Sequence, residues 1–234
     1  MLKVSTEAEE RNGARVLAWW DGAGAARVLA IERDACLLER ALGDDSLTTT
    51  SLSTMVREGA DAEATTVLCR VAAALHAKDP GDRPQTTVDL KSWFRELWPA
   101  AARGGVLGQA APVAARLLDT QRDLVVLHGD LHHENVLDFG DRGWLAIDPK
   151  GLYGERTFDF VNILRNPDAD LALAPGRFDN RVELIAEVAR LDATRLVEWT
   201  LAFTALSAAW IHAAGDEPSL DLAVAREALR FLDS

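Results

Sequence analysis

The chain has 234 residues, of which 48% are hydrophobic and 26% charged, proportions that predict a globular protein with a well-buried core. Its formal net charge of −12 at pH 7 argues against nucleic acid as a partner, because phosphate backbones attract basic surfaces. The same charge is compatible with a cationic small-molecule substrate.

The first part of the chain alternates helix-like and strand-like segments. Residues 2–4 are a short apolar fragment, and residues 5–20 predict a helix with acidic residues in its first turn. The glycines of residues 21–24 end this helix. Residues 27–32 and 35–40 are two apolar runs that predict a pair of strands.

Most of the remaining chain is predicted to be helical. We expect Asp61 to cap one helix, and Gly104, Gly105 and Gly108 to form a loop between two others. The predicted helices cover residues 61–76, 87–103, 112–121, 177–190, 193–213 and 220–232.

Several features bear on the compartment of the protein. The first residues contain Lys3 and a run of acids in place of an apolar leader. The most apolar segment, residues 199–214, is shorter than the roughly 20 residues that span a bilayer and is predicted to be a buried helix. Cys36 and Cys69 lie in apolar surroundings without metal-site spacing, which predicts free thiols. We therefore expect a cytoplasmic protein.

Residues 124–151 read LVVLHGDLHHENVLDFGDRGWLAIDPKG. The apolar run at their start predicts a buried strand, followed by a polar loop and a hairpin around the four-residue turn 140–143. Pairing about that turn places Val136 opposite Ile147. Asn135 and Asp148 then meet at the open end of the hairpin, where Asp130 can also reach. Two carboxylates and an amide carbonyl at one point predict a magnesium site, because magnesium prefers oxygen ligands.

Other interpretations of this stretch are weaker. Asp, Asn and Gly are common in turns for conformational reasons alone. The loop histidines, His128, His132 and His133, suggest zinc, but only His76 and His212 remain as further ligands and both lie on predicted helices. A two-metal phosphoesterase needs Asp-x-His and Gly-Asn-His segments that the sequence lacks.

The joint spacing of the central residues is that of a kinase catalytic loop and its metal-binding aspartate. In the segments HGDLHHEN, IDPKG and GERTFDF, the chain resembles the aminoglycoside phosphotransferase family, in the branch of streptomycin and hydroxyurea phosphotransferases. The resemblance implies an α+β, protein-kinase-like fold with two lobes. Residues 1–45 would form a partial nucleotide-binding lobe, and residues 46–234 a mainly helical catalytic and substrate-binding lobe.

The resemblance also implies roles for residues of the central stretch. Asp130 would orient the substrate hydroxyl and accept its proton, while Asn135 and Asp148 would hold Mg²⁺. His128 would be a structural residue of the loop. Asp159 would hold the loop by accepting backbone hydrogen bonds, and a charge at a helix N-terminus is the equally open alternative for it.

For ATP, the resemblance assigns residues near the start of the chain. Lys3 would contact the phosphates, and Glu10 is the best candidate for the glutamate that pairs with it, in competition with Glu7 and Glu9. Backbone groups of Glu39 and Ala41 would bind the adenine edge. The sequence assigns no residue to the substrate.

The implied function is ATP- and magnesium-dependent phosphorylation of a hydroxyl on an aminoglycoside-like compound such as streptomycin. The alternative is a catalytically silent protein that binds a nucleotide or small molecule. The strands expected before the lysine are not in this sequence, so we expect a short small-lobe sheet, weakened ATP binding and an exposed sheet edge that could pair with a second copy as a homodimer. Asp148 is followed by Pro-Lys, so no phosphorylated activation loop is expected.

Overall fold

The computed structural model of the chain describes residues 1–4, 8–41 and 51–234, with the backbone alone for Ala8 and Glu9. The predicted Glu7 therefore lies outside the described residues, as does the Glu9 side chain. In the described part of the chain, every helix is too short or too polar to cross a membrane.

The first unit is a three-stranded antiparallel sheet covered by one helix. Its elements are β1 (Leu2–Val4), α1 (Ala8–Trp20), β2 (Val28–Glu32) and β3 (Ala35–Leu38), with strand order β1-β3-β2. The apolar runs predicted the strands because their side chains alternate between the two faces of the sheet. Helix α1 ends at Trp20, as predicted, and the Trp20 indole donates to the Leu75 carbonyl at 3.2 Å.

Helices α2 (Leu52–Arg57) and α3 (Asp61–His76) begin the second unit. The predicted cap at Asp61 is wrong: Ala60 holds the N-cap position, and the Asp61 carboxylate instead accepts hydrogen bonds from Arg181, the shortest at 2.6 Å. The Asp61 carboxylate therefore bonds to a guanidinium 120 residues away in the sequence and not to the N–H groups at the start of its own helix.

The single helix predicted over residues 87–103 is also wrong. The chain forms β4 (Val88–Asp89), α4 (Leu90–Trp93) and α5 (Leu97–Ala100), with short 3₁₀ turns after α4 and α5. Asp89 caps α4 by accepting from the Ser92 N–H at 2.9 Å, and Pro99 has no N–H with which to continue an α-helix from the preceding turn.

Helix α6 (Gly105–Asp119) begins earlier than predicted. Gly105 and Gly108 lie in this helix and not in a loop. Gly104 and Gly105, with φ of 72° and 57°, make the change of chain direction at the start of this helix, a backbone that glycine adopts without steric cost.

Strands β5 (Leu124–Leu127) and β8 (Leu152–Glu155) pair antiparallel, while β6 (Val136–Asp138) and β7 (Trp144–Ala146) form the predicted hairpin. The predicted register is wrong by one residue, because Val136 lies opposite Ala146 and not Ile147. The loop has five residues, with a 3₁₀ turn at Gly140–Arg142. Asn135 consequently lies opposite Ile147, whose N–H donates to the Asn135 carbonyl at 2.9 Å.

The end of the chain is helical, as predicted. After a 3₁₀ segment (Arg156–Arg165) come α7 (Ala169–Ala172), α8 (Arg177–Ala189), α9 (Ala193–Ala214) and α10 (Ser219–Leu232). Helix α9 is the buried apolar helix expected from the sequence, and its Trp199 and Phe203 pack edge-to-face on Phe158 with ring centroids 5.6 and 5.5 Å apart. This core supports the loop that follows β5.

Candidate active site

The Asp159 carboxylate holds the first residues of the loop after β5 in place. This carboxylate is buried and accepts hydrogen bonds from the backbone N–H groups of His128 at 2.9 Å and Gly129 at 2.7 Å. A third contact, at 2.7 Å, comes from the ring of His76. The sequence contains no local signal for the contact between His76 and Asp159.

His128 ties the same loop to the end of β7. Its ring Nδ1 accepts from the Asp130 N–H at 3.2 Å, so the proton lies on Nε2, which donates to the Ile147 carbonyl at 2.7 Å. Burial lowers the pKa of His128, which keeps the ring neutral. The positions of Asp130 and of the segment after Ile147 are therefore linked through one imidazole.

Asp130 lies at the loop surface with its carboxylate partly exposed. The Asn162 amide donates to its Oδ1 at 3.2 Å, and the Asn135 amide donates to its backbone carbonyl at 2.8 Å. Because the Asn135 N–H₂ group is turned toward Asp130, its carbonyl oxygen faces the other way and is available as a ligand. Asn162 is a contact that sequence reasoning missed.

Asp148 follows Ile147 at the open end of the hairpin, one residue beyond the level of Asn135. Its side chain is 48% exposed and forms an ion pair with the Lys3 ammonium group. The structure thus brings Lys3 from β1 to the carboxylate that the sequence assigned to the metal.

The oxygen groups of this site suit magnesium. The described residues contain no group of three His, Cys, Asp or Glu side chains that could enclose a metal. One exposed carboxylate and one amide oxygen match the usual Mg²⁺ site, in which one or two protein ligands are completed by water and substrate phosphates. Asn135 and Asp148 are the residues that would hold this ion.

Lys3 and Asp148 lie on the wall of a cavity of about 260 Å³ between α1 and the sheet. Glu10 lies on the same wall, and Leu17 and Cys36 line its apolar interior. Burial raises the pKa of the Cys36 thiol, so it remains protonated. The structure therefore gathers Lys3, Glu10 and Asp148 around one space.

The segment predicted to bind adenine lies beside this space. The Glu39 N–H donates to the Arg27 carbonyl at 3.0 Å, which leaves the carbonyl of Glu39 as the group that could meet a base. Burial alone would raise the pKa of the Glu39 carboxyl, but the bonds from the Arg27 N–H and from Arg142 outweigh it and lower the pKa. Ala41 packs with Leu137 and Ile147 against a small apolar cluster.

A two-unit α+β fold, a loop aspartate followed by an asparagine, and a lysine paired with a second aspartate define the class of kinase-like phosphotransferases. The fold agrees with that of a solved aminoglycoside phosphotransferase, APH(3'')-Id from Streptomyces rimosus, which is 18% identical, with a TM-score of 0.58 over 86% of this chain and 82% of that chain. The predicted protein-kinase-like fold is confirmed.

The chain belongs to the aminoglycoside/hydroxyurea antibiotic resistance kinase family, whose profile matches residues 1–215. It is 48% identical to streptomycin 3''-kinase from Klebsiella pneumoniae, across 100% of this chain and 89% of the relative. It is 32% identical to streptomycin 6-kinase from Streptomyces griseus, across 89% of this chain and 69% of that protein. The resemblance inferred from the sequence motifs is confirmed.

Proposed function

We propose that this protein transfers the γ-phosphate of ATP to a hydroxyl of streptomycin, and that the 3''-hydroxyl is the acceptor. Family membership and the 48% identity to a streptomycin 3''-kinase support the substrate. The observation that carries the proposal is the position of Asp130, Asn135 and Asp148 at one end of the β6–β7 hairpin, with Lys3 paired to Asp148.

In the proposed reaction, the acceptor oxygen bonds to the γ-phosphorus as the bond to the β-phosphate bridging oxygen breaks, and ADP leaves. Asp130 orients the acceptor hydroxyl and takes its proton, while the amide of Asn162 fixes the orientation of the carboxylate. Magnesium held by Asn135 and Asp148 would supply charge neutralisation on the phosphates, and Lys3 would add a positive charge beside them. Positioning of the two substrates provides the remaining rate gain.

The base of the nucleotide would lie beside the apolar surface formed by Ala41 and Ile147. Its phosphates would point toward Lys3 and Asp148. Glu10 lies on the same cavity wall as Lys3 and would be the partner of Lys3 in the nucleotide complex. His128 and Asp159 support the loop without touching substrate. We place the reaction in the cytoplasm, where ATP is available.

We also propose that residues 1–45 and 46–234 act as nucleotide-binding and catalytic lobes, and that two copies can associate through β1. Within the described residues, β1 is an outer strand of its sheet, and Leu2 and Val4 are 65% and 67% exposed. Light scattering at high protein concentration should reveal a dimer, and a strict monomer would contradict this part of the proposal.

The central test compares Asp130→Asn with Asp141→Asn, a control that removes an exposed carboxylate in the hairpin loop. We expect Asp130→Asn to lower kcat for streptomycin phosphorylation by about 10²- to 10⁴-fold while ADP still binds. Asp141→Asn should behave as wild type. Mass spectrometry and NMR of the product would show which hydroxyl carries the phosphate.

Two results would change the assignment. Phosphate on the 6-hydroxyl would move the protein to the chemistry named for its Streptomyces griseus relative. A wild-type protein that binds ADP but converts neither streptomycin nor hydroxyurea would instead be the silent binding protein.

A further inference from the structure

Helix α1 contacts the segment that follows Asp148, and the residue of α1 at this contact is Gly13. A methyl group at Gly13 would overlap the Pro149 carbonyl oxygen and lie 3.3 Å from the carbonyl carbon. A methyl group at Gly151 would meet the Asn12 backbone, also at 3.3 Å. Residues 12 and 13 of α1 thus pack directly on residues 149–151, backbone against backbone.

Conformation does not explain this glycine. Gly13 lies inside an α-helix and is not among the residues with positive φ, so alanine could adopt the same backbone. Glycine inside a helix costs about 1 kcal/mol relative to alanine. Because Gly13 is buried against Pro149, close packing is the physical reason for a glycine at this position.

The contact acts on Asp148, which precedes Pro149. Asp148 has a φ of 63°, a left-handed backbone that costs a non-glycine residue energy and persists only where neighbours hold it. The proline ring fixes the next φ. On the far side, the Lys150 N–H donates to the His128 carbonyl at 2.7 Å. The segment is therefore held between α1 and the catalytic loop.

We propose that Gly13 is a positioning residue: it lets α1 seat Asp148 where Asp148 and Asn135 can hold Mg²⁺ together. This inference rests on the proposed function. Through the contact between Gly13 and Pro149, the position of α1 determines how well the protein binds nucleotide together with Mg²⁺. The same helix also carries Glu10. Movement of α1 away from Pro149 removes the support of the Asp148 backbone.

The test compares Gly13→Ala with Gly108→Ala in α6, where the new methyl group would lie 3.4 Å from the Ala101 carbonyl oxygen, an ordinary contact. Both changes add the same atoms and the same helix propensity. ADP affinity is measured by calorimetry with Mg²⁺ and with EDTA. We expect Gly13→Ala to lose about 10- to 100-fold of the magnesium-dependent affinity, with ADP affinity in EDTA unchanged and Gly108→Ala like wild type.

A second variant tests the same inference if Gly13→Ala does not fold. Pro149→Gly adds no atoms but frees the backbone after Asp148, and we expect the same selective loss. Wild-type magnesium dependence in Gly13→Ala, or in Pro149→Gly where the first variant does not fold, would overturn the inference. A wild-type protein whose ADP binding ignores Mg²⁺ would instead contradict the proposed metal site itself.

Discussion

His133 and His76 are both buried, but their surroundings differ. Both ring nitrogens of His133 are without a hydrogen-bond partner in the described structure. Burial, aided by nearby Arg181, lowers its pKa to about 3, so the ring is neutral at physiological pH. His76 instead contacts the Asp159 carboxylate at 2.7 Å. The His133 ring nitrogens are buried without hydrogen bonds, whereas His76 supports the loop after β5 through Asp159.

We expect opposite results from replacing these histidines with leucine, which has a similar volume. His133→Leu should leave the free energy of unfolding unchanged or raise it, because unsatisfied polar atoms are removed. His76→Leu should lower it by about 1–3 kcal/mol, since Asp159 loses a buried donor. Urea unfolding measures both, and equal destabilisation by the two variants would contradict the comparison.

The sequence could predict that Asp130, Asn135 and Asp148 lie near one another, because their placement follows from one loop and one hairpin. It could not locate His76, which contacts Asp159 from 83 residues away, or Asn162, which contacts Asp130 from 32 residues away. Such contacts depend on how helices pack, and no local spacing of residue types encodes them.

Strand β8 and helix α9 are joined by an ion pair between Glu155 and Arg195. The guanidinium donates to both carboxylate oxygens, at 2.6 and 2.5 Å, and the Glu155 side chain is fully buried. Burial alone would raise the pKa of Glu155, but the bonds from Arg195 outweigh it and lower the pKa. The charged carboxylate therefore stabilises the contact between these two elements.

Glu155→Gln should lower the free energy of unfolding by about 3–5 kcal/mol at pH 7, because Arg195 loses a buried counter-charge. The folded pKa is lowered, so the stabilisation is complete above the ordinary carboxyl pKa of about 4.3 and is lost as pH falls below it. Urea unfolding between pH 3 and 7 should show the difference between wild type and variant shrinking at the acid end.

The control for this prediction is Asp119→Asn, which breaks the exposed pair with Lys91. It should change stability little at any pH. A difference between wild type and Glu155→Gln that stays constant down to pH 3 would show that the carboxylate charge is not the source of the stabilisation.

At the scale of elements, long periodic segments were predictable and their details were not. Helices α8, α9 and α10 follow from apolar periodicity. The break within residues 87–103 and the five-residue loop of the β6–β7 hairpin depend on single residues such as Pro99 and on turn geometry. Their effect appears only when strand pairing and caps are formed.

The two units are joined by hydrogen bonds that converge on the β6–β7 hairpin. The Ala26 N–H donates to the Ala146 carbonyl and the Ala146 N–H to the Gly24 carbonyl, each at 2.9 Å. Arg142 adds bonds to Glu39 and, at 2.8 Å, to the Gly22 carbonyl. The kinase motif predicted two lobes, but composition and periodicity contain no information about this junction.

Lys3, proposed to bind the nucleotide, lies in the first unit, and Asn135 and Asp148, proposed to bind Mg²⁺, lie in the second. Mg²⁺ and ADP together should therefore stabilise the whole molecule. Ligand at 100 times its Kd contributes about 2.7 kcal/mol to folding, which thermal unfolding measures as a higher Tm. The increase should fall when EDTA replaces Mg²⁺, and it should depend less on Mg²⁺ in Asp148→Ala. An equal increase in EDTA would argue against the metal site.

The left-handed backbone at Asp148 has a consequence for how resistance genes are interpreted. Asparagine accepts such a φ nearly as well as aspartate does, whereas branched residues do not. One base change in an aspartate codon gives asparagine, so a single mutation should yield a protein that keeps its shape but lacks the charge on its proposed metal ligand. A survey that scores such genes by overall identity would count this copy as intact, although we expect it to be inactive.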